Sequence, residues 1–470
     1  NTTSVYSPVQ VKSSDGSSYL TDIIEIAAGA YHNLALAKDG TVWSWGYNYH
    51  GQLGNGTTAN SSLPVKVIGV SDVVSIAAGY YNSFAVRKDG TVWSWGYNNY
   101  GSLGLGDGTS RTTAQQVLGG ASGSQYLTDI VEVKAATMHT LALKANGTVY
   151  AWGYNGYGQL GSSGSSYTPV QVVTGAQKSA SGYLEKVVDI DVSSGNDNGY
   201  GTSIALTESK EVYGWGYSGY GPLGQTGYFT SPIKVSNINT AVGVALGGTD
   251  NTQFTYILKE DGTISSLGYN YYGQLGNGTT SGSATVELQG VQNVKDIVQV
   301  SGSQNGYFGA FVKKDGTVWT VGYKQYGQLG NGNFESSQGP IPVLAVDATK
   351  KLSGVFKIAA GKYHALAMTS DGAVLAWGLN DNGQLGNNST TNQNVPVKVF
   401  GGEHSSVNGF ITLANDIAAG GKHSLVALST GAVYAWGANN HGQLGNTRDE
   451  NDITSTSKEL TPVRVIQGAS

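Results

Sequence analysis

The chain carries the stretch DGTVWSWGYNYHGQLG at residues 39–54, and two parts of it return along the 470 residues. A Trp-Gly pair, Trp45-Gly46 in this copy, is followed five residues later by Gly-x-Leu-Gly, and in two copies Leu or Val replaces the Trp. The eight Gly-x-Leu-Gly elements begin at Gly51, Gly101, Gly158, Gly221, Gly273, Gly327, Gly383 and Gly442. Seven intervals separate Trp45 from Trp436, so the period is about 56 residues, which indicates a solenoid or a propeller.

Each repeat contains four short segments with the composition of β-strands. In the first repeat they cover residues 23–28, 32–37, 41–45 and 64–67. Asp39-Gly40 joins the second and third segments, and Asp-Gly favours the positive φ angles of tight primed hairpin turns. Four antiparallel strands per repeat, with no helical stretch between repeats, predict an all-β fold, a β-propeller of four-stranded antiparallel blades.

Four blocks of the first repeat form a longer motif: AAGAYH at 27–32, DGTVWSWG at 39–46, GQLG at 51–54 and PV at 64–65. Repeated from about Pro8 to Val465, this motif is similar to the repeat of the regulator of chromosome condensation family. The resemblance implies a propeller with one blade per repeat, most often seven. Because eight Gly-x-Leu-Gly elements are present, we predict a single domain over residues 1–470 with eight blades. Seven blades and an open spiral are the alternatives.

The fourth strand of the repeat raises a question about ring closure, because nine segments share its pattern. They begin at Pro8, Pro64, Gln115, Pro169, Pro232, Thr285, Ile341, Pro396 and Pro462. Eight blades need eight such strands, so one terminal copy is surplus. We expect the ring to close where the two termini meet, since closure removes an exposed sheet edge. The surplus copy would widen the closing blade, lie outside it, or signal an open spiral.

Composition limits the function classes. The chain has no Cys and 26 basic against 31 acidic residues, which excludes disulfides and thiol chemistry and gives no basic footprint for nucleic acid. No apolar run is long enough to span a membrane, so we expect no membrane insertion, and we expect a monomer. The sequence begins Asn1-Thr2-Thr3 rather than with Met, which fits a secreted chain whose signal peptide has been removed or an arbitrary boundary.

Repeated Trp and His positions are expected to be structural. All nine Trp belong to the third strand, and large rings at a fixed place in each blade favour packing between blades. Four His share one repeat position and would be spread around a ring rather than gathered on one metal ion. They are His32, His139, His364 and His423.

The acidic residues give little support to catalysis, since no carboxylate pair stands out. Asp449, Glu450 and Asp452 form an acidic loop, expected to be solvated, with weak calcium binding as the alternative. No phosphate-cradling or nucleophile motif is present. We therefore predict no enzyme activity, no metal site and no cofactor.

Tyrosines mark one face of the predicted disc, which we call the Leu-Gly face: the Gly-x-Leu-Gly loops together with the turns before the His position. Because successive antiparallel strands run in opposite directions, these loops and turns lie on the same side of the disc. The Asp-Gly turns and the connections between blades lie on the other side. Tyr, Ser, Gly and Asn make adaptable contact surfaces; alternatively, the rings cap the blade ends and fill gaps between loops. The candidate ligand-binding residues are Tyr49, Tyr100, Tyr157, Tyr220, Tyr272, Tyr326, Tyr31, Tyr81 and Tyr363.

The resemblance also implies functions. The family contains nucleotide-exchange factors for small GTPases that dock on chromatin, but the sequence shows neither an inserted wedge nor a basic tail. The fold also resembles a secreted bacterial propeller that inhibits β-lactamases through an aromatic-rich face. We predict a non-catalytic bacterial binding module, extracellular or at the cell surface, that engages a protein partner through the Leu-Gly face. A carbohydrate-binding propeller is the first alternative, and a guanine-nucleotide exchange factor is the second.

Overall fold

A computed structural model describes residues 4–193, 199–249, 252–288, 290–299, 307–335, 337–401 and 409–446. Its strands form eight four-stranded antiparallel sheets arranged as the blades of a ring, which confirms the predicted eight-bladed propeller. Within these residues the helical elements are two 3₁₀ turns, Gly120–Ser122 and Gly175–Gln177, and no helix there is long and apolar enough to cross a membrane.

Each blade runs from a strand at the central channel to a strand at the rim. The innermost strands are β2 (Ile23–Ala28), β6 (Val73–Ala78), β10 (Ile130–Ala135), β14 (Val187–Val192), β18 (Ala241–Gly247), β22 (Val294–Gln299), β26 (Val355–Ala360) and β30 (Ala414–Ala419). The second strands are β3 (His32–Ala37), β7 (Asn82–Arg87), β11 (His139–Lys144), β15 (Thr202–Thr207), β19 (Phe254–Lys259), β23 (Phe308–Lys313), β27 (His364–Thr369) and β31 (His423–Leu428).

The outer half of each blade consists of the Trp strand and the rim strand. The third strands are β4 (Val42–Gly46), β8 (Val92–Gly96), β12 (Val149–Gly153), β16 (Val212–Ser218), β20 (Ile264–Gly268), β24 (Val318–Gly322), β28 (Val374–Gly378) and β32 (Val433–Gly437). The rim strands are β1 (Val5–Gln10), β5 (Ser61–Lys66), β9 (Arg111–Gln116), β13 (Ser166–Gln171), β17 (Gly227–Lys234), β21 (Ser283–Glu287), β25 (Ser337–Pro342) and β29 (Gln393–Lys398). We number blade 1 from β2 and blade 8 from β30.

The N-terminal copy of the rim-strand motif closes the ring. β1 pairs antiparallel with β32, so blade 8 is built from both ends of the chain. Val9 and Val11 are almost completely buried there, and the Val11 amide donates a hydrogen bond to the Val433 carbonyl at 2.7 Å. The surplus copy at Pro462 and the acidic loop at Asp449, Glu450 and Asp452 lie outside the described residues.

The hairpins between second and third strands are confirmed, but their turn type differs from the prediction. Gly40 has φ +82°, whereas Asp39 is not among the residues with positive φ, so this is not a type I′ turn. The Gly40 amide donates to the Ala37 carbonyl, and the Ala37 amide donates to the Thr41 carbonyl, both at 2.9 Å. This pattern is a three-residue loop ending in a bulge, in which only the glycine needs a left-handed conformation.

The hydrophobic core lies between blades rather than in the middle of the disc. Eight buried clusters occur among the described residues, one at each seam between neighbouring blades. Six indoles at these seams are completely buried, which confirms the expected packing role: Trp45, Trp95, Trp152, Trp215, Trp377 and Trp436. Trp43, Trp93 and Trp319 are only half-buried.

Each buried indole also makes a polar contact across its seam. Trp95 Nε1 donates to the Gln52 carbonyl of the preceding Gly-Gln-Leu-Gly loop at 2.9 Å, and Trp377 Nε1 donates likewise to the Gln328 carbonyl at 2.9 Å. The same loop must end in glycine, because a Cβ on Gly54, at φ +66°, would lie 2.9 Å from the Trp95 ring. The two recurring elements of the sequence, Trp-Gly and Gly-x-Leu-Gly, are therefore the two sides of one seam.

Candidate functional site

The Leu-Gly face forms as predicted, because the turn before the His position and the Gly-x-Leu-Gly loop meet at the same end of the blade. In blade 1 the Tyr47 amide donates to the Tyr31 carbonyl at 2.9 Å, and the Tyr31 and Tyr47 rings are 6.2 Å apart. Tyr47 occupies a repeat position that the sequence analysis missed: the residue after Trp-Gly or its variant is tyrosine in six consecutive blades. These are Tyr47, Tyr97, Tyr154, Tyr217, Tyr269 and Tyr323.

Contacts between rings join the tyrosines across blades in three runs. The first run contains Tyr31, Tyr47, Tyr49, His50, Tyr80, Tyr81, Tyr97 and His441. The second contains Tyr100, Tyr154, Tyr157, Tyr200, Tyr217 and Tyr228. The third contains Tyr220, Tyr269, Tyr271, Tyr272, Tyr307, Tyr323, Tyr326 and Tyr363. All nine candidate tyrosines belong to these runs.

The candidate tyrosines differ in exposure. Tyr49 is 70% exposed, Tyr220 48% and Tyr100 39%. The other six are half-buried: Tyr31, Tyr81, Tyr157, Tyr272, Tyr326 and Tyr363. Tyr271 and Tyr228 are more exposed than most of them, at 67% and 66%, and were missed. The rings pack against those of neighbouring blades, as expected if they fill gaps between loops. They also present area to solvent, as expected of a contact surface.

The face carries hydroxyl groups that stay neutral over the physiological range. Burial, reinforced by neighbouring tyrosine hydroxyls, raises the pKa of Tyr269 to about 12. The same causes raise the pKa of Tyr363 to about 12. Such hydroxyls donate and accept hydrogen bonds while the rings supply apolar area. This combination suits recognition of a surface of mixed polarity.

Buried asparagines hold the loops that carry these rings. Asn48, completely buried, accepts a hydrogen bond from the Leu53 amide at 2.9 Å through Oδ1. Its Nδ2 donates to the Ala59 carbonyl at 2.9 Å and to the Thr57 carbonyl at 3.1 Å. Because one side chain bonds backbone groups in the middle and near the end of the loop formed by residues 47–60, the loop has a defined shape without regular structure. In blade 4, Ser218 takes this position and bonds the Leu223 amide at 3.2 Å.

The four repeated histidines are buried beneath the face. His32 Nε2 lies 2.9 Å from Ser83 Oγ of the next blade, and Ser83 Oγ donates to the Gln52 carbonyl at 2.9 Å. Burial lowers the pKa of His32 to about 3, so the ring is neutral and acts as a seam residue. Among the described residues, no group of three or more His, Asp or Glu is placed to hold a metal ion.

The central channel holds a group of carboxylates that the sequence analysis missed. It encloses about 720 Å³, and Glu25, Glu132 and Asp191 line it. Lys134 Nζ lies 3.0 Å from Glu132 Oε1. Burial, followed by repulsion from Glu132 and Asp191, raises the pKa of Asp189 to about 7. The available signal was an acidic residue at the third position of five inner strands: Glu25, Glu132, Asp189, Asp296 and Asp416.

The fold and this face define an eight-bladed propeller with a tyrosine-rich surface at one end of its channel. Residues 1–252 and 128–470 match the RCC1-like domain family, and the chain belongs to that family. It is 29% identical over 428 residues to the ultraviolet-B receptor UVR8 of Arabidopsis thaliana, covering 90% of this chain and 78% of UVR8. It is 31% identical over 308 residues to the human E3 ubiquitin-protein ligase HERC2, covering 64% of this chain but only 6% of HERC2.

Solved structures show the same fold at lower identity. Human WBSCR16 matches with a TM-score of 0.60 and 22% identity, over 85% of this chain and 100% of that one. Prp20p of Saccharomyces cerevisiae, studied for its binding to Gsp1p and histones, matches with a TM-score of 0.52 and 19% identity, over 94% of both chains. At these identities the likeness concerns the propeller architecture alone.

Proposed function

We propose that this chain is a non-catalytic binding module of a bacterium, extracellular or at the cell surface, that engages a protein partner through the Leu-Gly face. The observation that carries the proposal is the concentration of tyrosines there, joined in three runs and still partly exposed, with Tyr49 70% and Tyr271 67% exposed. Tyrosine is enriched at protein interfaces because it buries a large ring with few rotatable bonds and keeps a hydrogen-bonding tip.

The family supports a role in protein binding. Yeast RCC1 is known in a complex with Kap60, and Prp20p has been studied with Gsp1p and histones, so a propeller of this family can serve as a docking scaffold. The extracellular setting rests on composition: the chain has no Cys, and only 12% of its residues are charged. A lightly charged, Cys-free surface rich in Tyr, Ser, Thr, Asn and Gly is independent of the redox state of its surroundings.

The test compares two multiple variants in capture from the culture medium of the source organism. The first variant replaces the exposed members of the three runs together by Ala, which leaves the seams intact: Tyr49, Tyr100, Tyr220, Tyr228 and Tyr271. Tyr183→Ala with Leu413→Ala is the matched control, since both exposed side chains belong to connections between blades, on the opposite face. We expect the wild type and the control to retain the same proteins and the tyrosine variant to lose them.

Circular dichroism and the thermal midpoint establish that the tyrosine variant is folded. Equal capture by a folded tyrosine variant would refute the proposal. Binding on a glycan array that the tyrosine variant loses, with no protein captured, would favour the carbohydrate-binding alternative. Accelerated nucleotide release from a small GTPase would favour an exchange factor.

A further inference from the structure

The aromatic surface of the Leu-Gly face is interrupted at blades 7 and 8. Leu379 and Ala438 replace the tyrosine that follows Trp-Gly, and both are buried, at 8% and 6% exposure. Asn382 replaces the tyrosine before the loop glycine. A cavity of about 140 Å³, which we call the basic notch, lies beside Asn382 and Ala438; Tyr31, Lys362, Lys422, Asn440 and His441 also line it.

The charges in the basic notch are unbalanced. Lys422 Nζ lies 2.8 Å from Asp381 Oδ2 and is paired with it. Lys362, by contrast, has no carboxylate within ion-pair distance among the described residues, and its Nζ lies over the Tyr363 ring at 5.3 Å from the centroid. The Lys362 side chain is half-buried. A cation withdrawn from water without a counter-ion carries a desolvation cost that an arriving anion would relieve.

Neighbouring groups do not supply that anion. Burial, and next the positive charge of Lys422, lower the pKa of Lys362, so the closest charged influence on Lys362 is another cation. Burial also lowers the pKa of His441, so that ring is neutral at physiological pH. Two lysines against Asp381 leave one positive charge in the basic notch, beside amide groups of Asn382 and Asn440 that can donate hydrogen bonds.

We propose that the basic notch receives the carboxylate of one Asp or Glu side chain of the protein that binds the Leu-Gly face. The proposal rests on the proposed function and specifies the chemistry of the partner. One uncompensated positive charge matches one carboxylate, whereas a polyanion would require several. The size of the cavity also suits a single side chain.

The position of the basic notch makes the carboxylate part of a larger contact. Tyr31 and His441, whose rings are 5.4 Å apart, border it on the side of blade 1. On the side of blade 7 the Lys362 ammonium lies over the Tyr363 ring, and Tyr363 contacts Tyr326 at 5.1 Å between ring centroids. An acidic side chain inserted here would be flanked by aromatic contacts that exclude water from the ion pair. Binding hot spots of protein interfaces are typically surrounded by contacts of this kind, which exclude water.

The first experiment measures the affinity of a protein captured as described above. We expect Lys362→Gln to weaken its binding at least roughly tenfold, because the inserted carboxylate would lose its counter-ion. Lys362→Arg keeps the charge and should bind within about threefold of the wild type. Lys88→Gln, an exposed lysine at the opposite face, is the matched control and should leave the affinity unchanged. Raising the salt concentration should weaken the wild type more than Lys362→Gln.

The second experiment identifies the anion directly. A water-soluble carbodiimide joins an amine to a carboxylate with loss of water and adds no spacer. In the complex we expect Lys362 to be joined to an Asp or Glu of the captured protein, as read by mass spectrometry. The Lys422–Asp381 pair is the internal control, since its atoms are 2.8 Å apart. Lys362→Arg should bind but give no such link, because a guanidinium does not form the amide.

The outcomes separate this inference from the proposed function. If the tyrosine variant loses binding while Lys362→Gln keeps full affinity, the Leu-Gly face is used and the notch proposal is wrong. Loss of binding in Lys362→Gln and Lys362→Arg alike, with a lowered thermal midpoint, would assign Lys362 a packing role and also refute it. A cross-link between Lys422 and Asp381 without any cross-link from Lys362 to the partner would also refute the notch proposal.

Discussion

Replacing Trp377 by Phe should destabilise the protein more than the same change at Trp95. Both indoles are completely buried at a seam, and both donate to a loop carbonyl at 2.9 Å. The difference lies in the acceptor. The Gln52 carbonyl also accepts from Ser83 Oγ at 2.9 Å, whereas Ala365 stands at the place of Ser83 in blade 7, so within the described residues Trp377 is the sole donor to the Gln328 carbonyl.

The expected free energies follow from this count of donors. Either substitution loses one hydrogen bond and some ring volume, which together cost about 1–2 kcal/mol. In Trp377→Phe the Gln328 carbonyl is also left buried without a partner, which adds about 1–3 kcal/mol. We therefore expect a loss of about 1–2 kcal/mol for Trp95→Phe and about 2–5 kcal/mol for Trp377→Phe.

The assay is unfolding in guanidinium chloride followed by circular dichroism, with the slope and the midpoint fitted for each variant. The two variants each retain eight of the nine Trp, so their signals are comparable. Equal midpoints would refute the reasoning, because they would mean that the second donor from Ser83 has no energetic consequence. In the Trp377→Phe background, the second substitution Ala365→Ser should restore part of the lost stability, because it supplies a hydroxyl donor at the position of Ser83.

Three further outcomes are expected. Gly54→Ala should cost about 1–3 kcal/mol more than Gly278→Ala, since both glycines have positive φ but only the former would place its Cβ 2.9 Å from Trp95; equal denaturation midpoints would contradict this. Because the folded state holds a proton on Asp189 up to a pKa of about 7, against an ordinary 3.8, its contribution to stability falls as pH rises from about 4 to 7. Asp189→Asn should therefore have a higher free energy of unfolding than the wild type, by a margin that grows over that window to about 2 kcal/mol after allowance for partial exposure. Thermal midpoints measured across the window check this, and a pH-independent difference would contradict it. Asn48→Ala should cost about 2–3 kcal/mol and Asn48→Ser less, because a serine at this position in blade 4 still bonds the loop leucine amide; the two thermal midpoints decide it.

The fold could be predicted because its determinants are local and repeated. Strand periodicity and the Asp-Gly turns placed β2 (Ile23–Ala28) and β3 (His32–Ala37) at their observed bounds. The glycine of the turn needs a positive φ whichever turn type forms, which is why the hairpin prediction was confirmed although the turn type was not. The choice between the two terminal rim-strand copies depended on pairing with β32, which no local pattern encodes.

The Leu-Gly face was predictable in outline because its tyrosines recur at one place in each repeat. The chemistry of this face was not predictable, because it depends on which side chains of neighbouring blades contact each other. Tyr157, for example, contacts Tyr200 and Tyr217 of the next blade, and the carboxylates of the channel come from separate inner strands. Each of these contacts joins residues from neighbouring repeats, and the spacing within one repeat carries no information about it.

The amino-acid sequence is enough to specify the blade, the positions of its turns, its seam residues and the number of repeats, because all of these depend on patterns along the chain. Packing between blades decides the rest: it places Lys362 of blade 7 near Lys422 of blade 8, and closure of the ring brings Tyr31 of blade 1 beside His441 of blade 8. Residues at opposite ends of a chain interact only after every blade between them has added its rotation, so their contacts are a property of the closed ring.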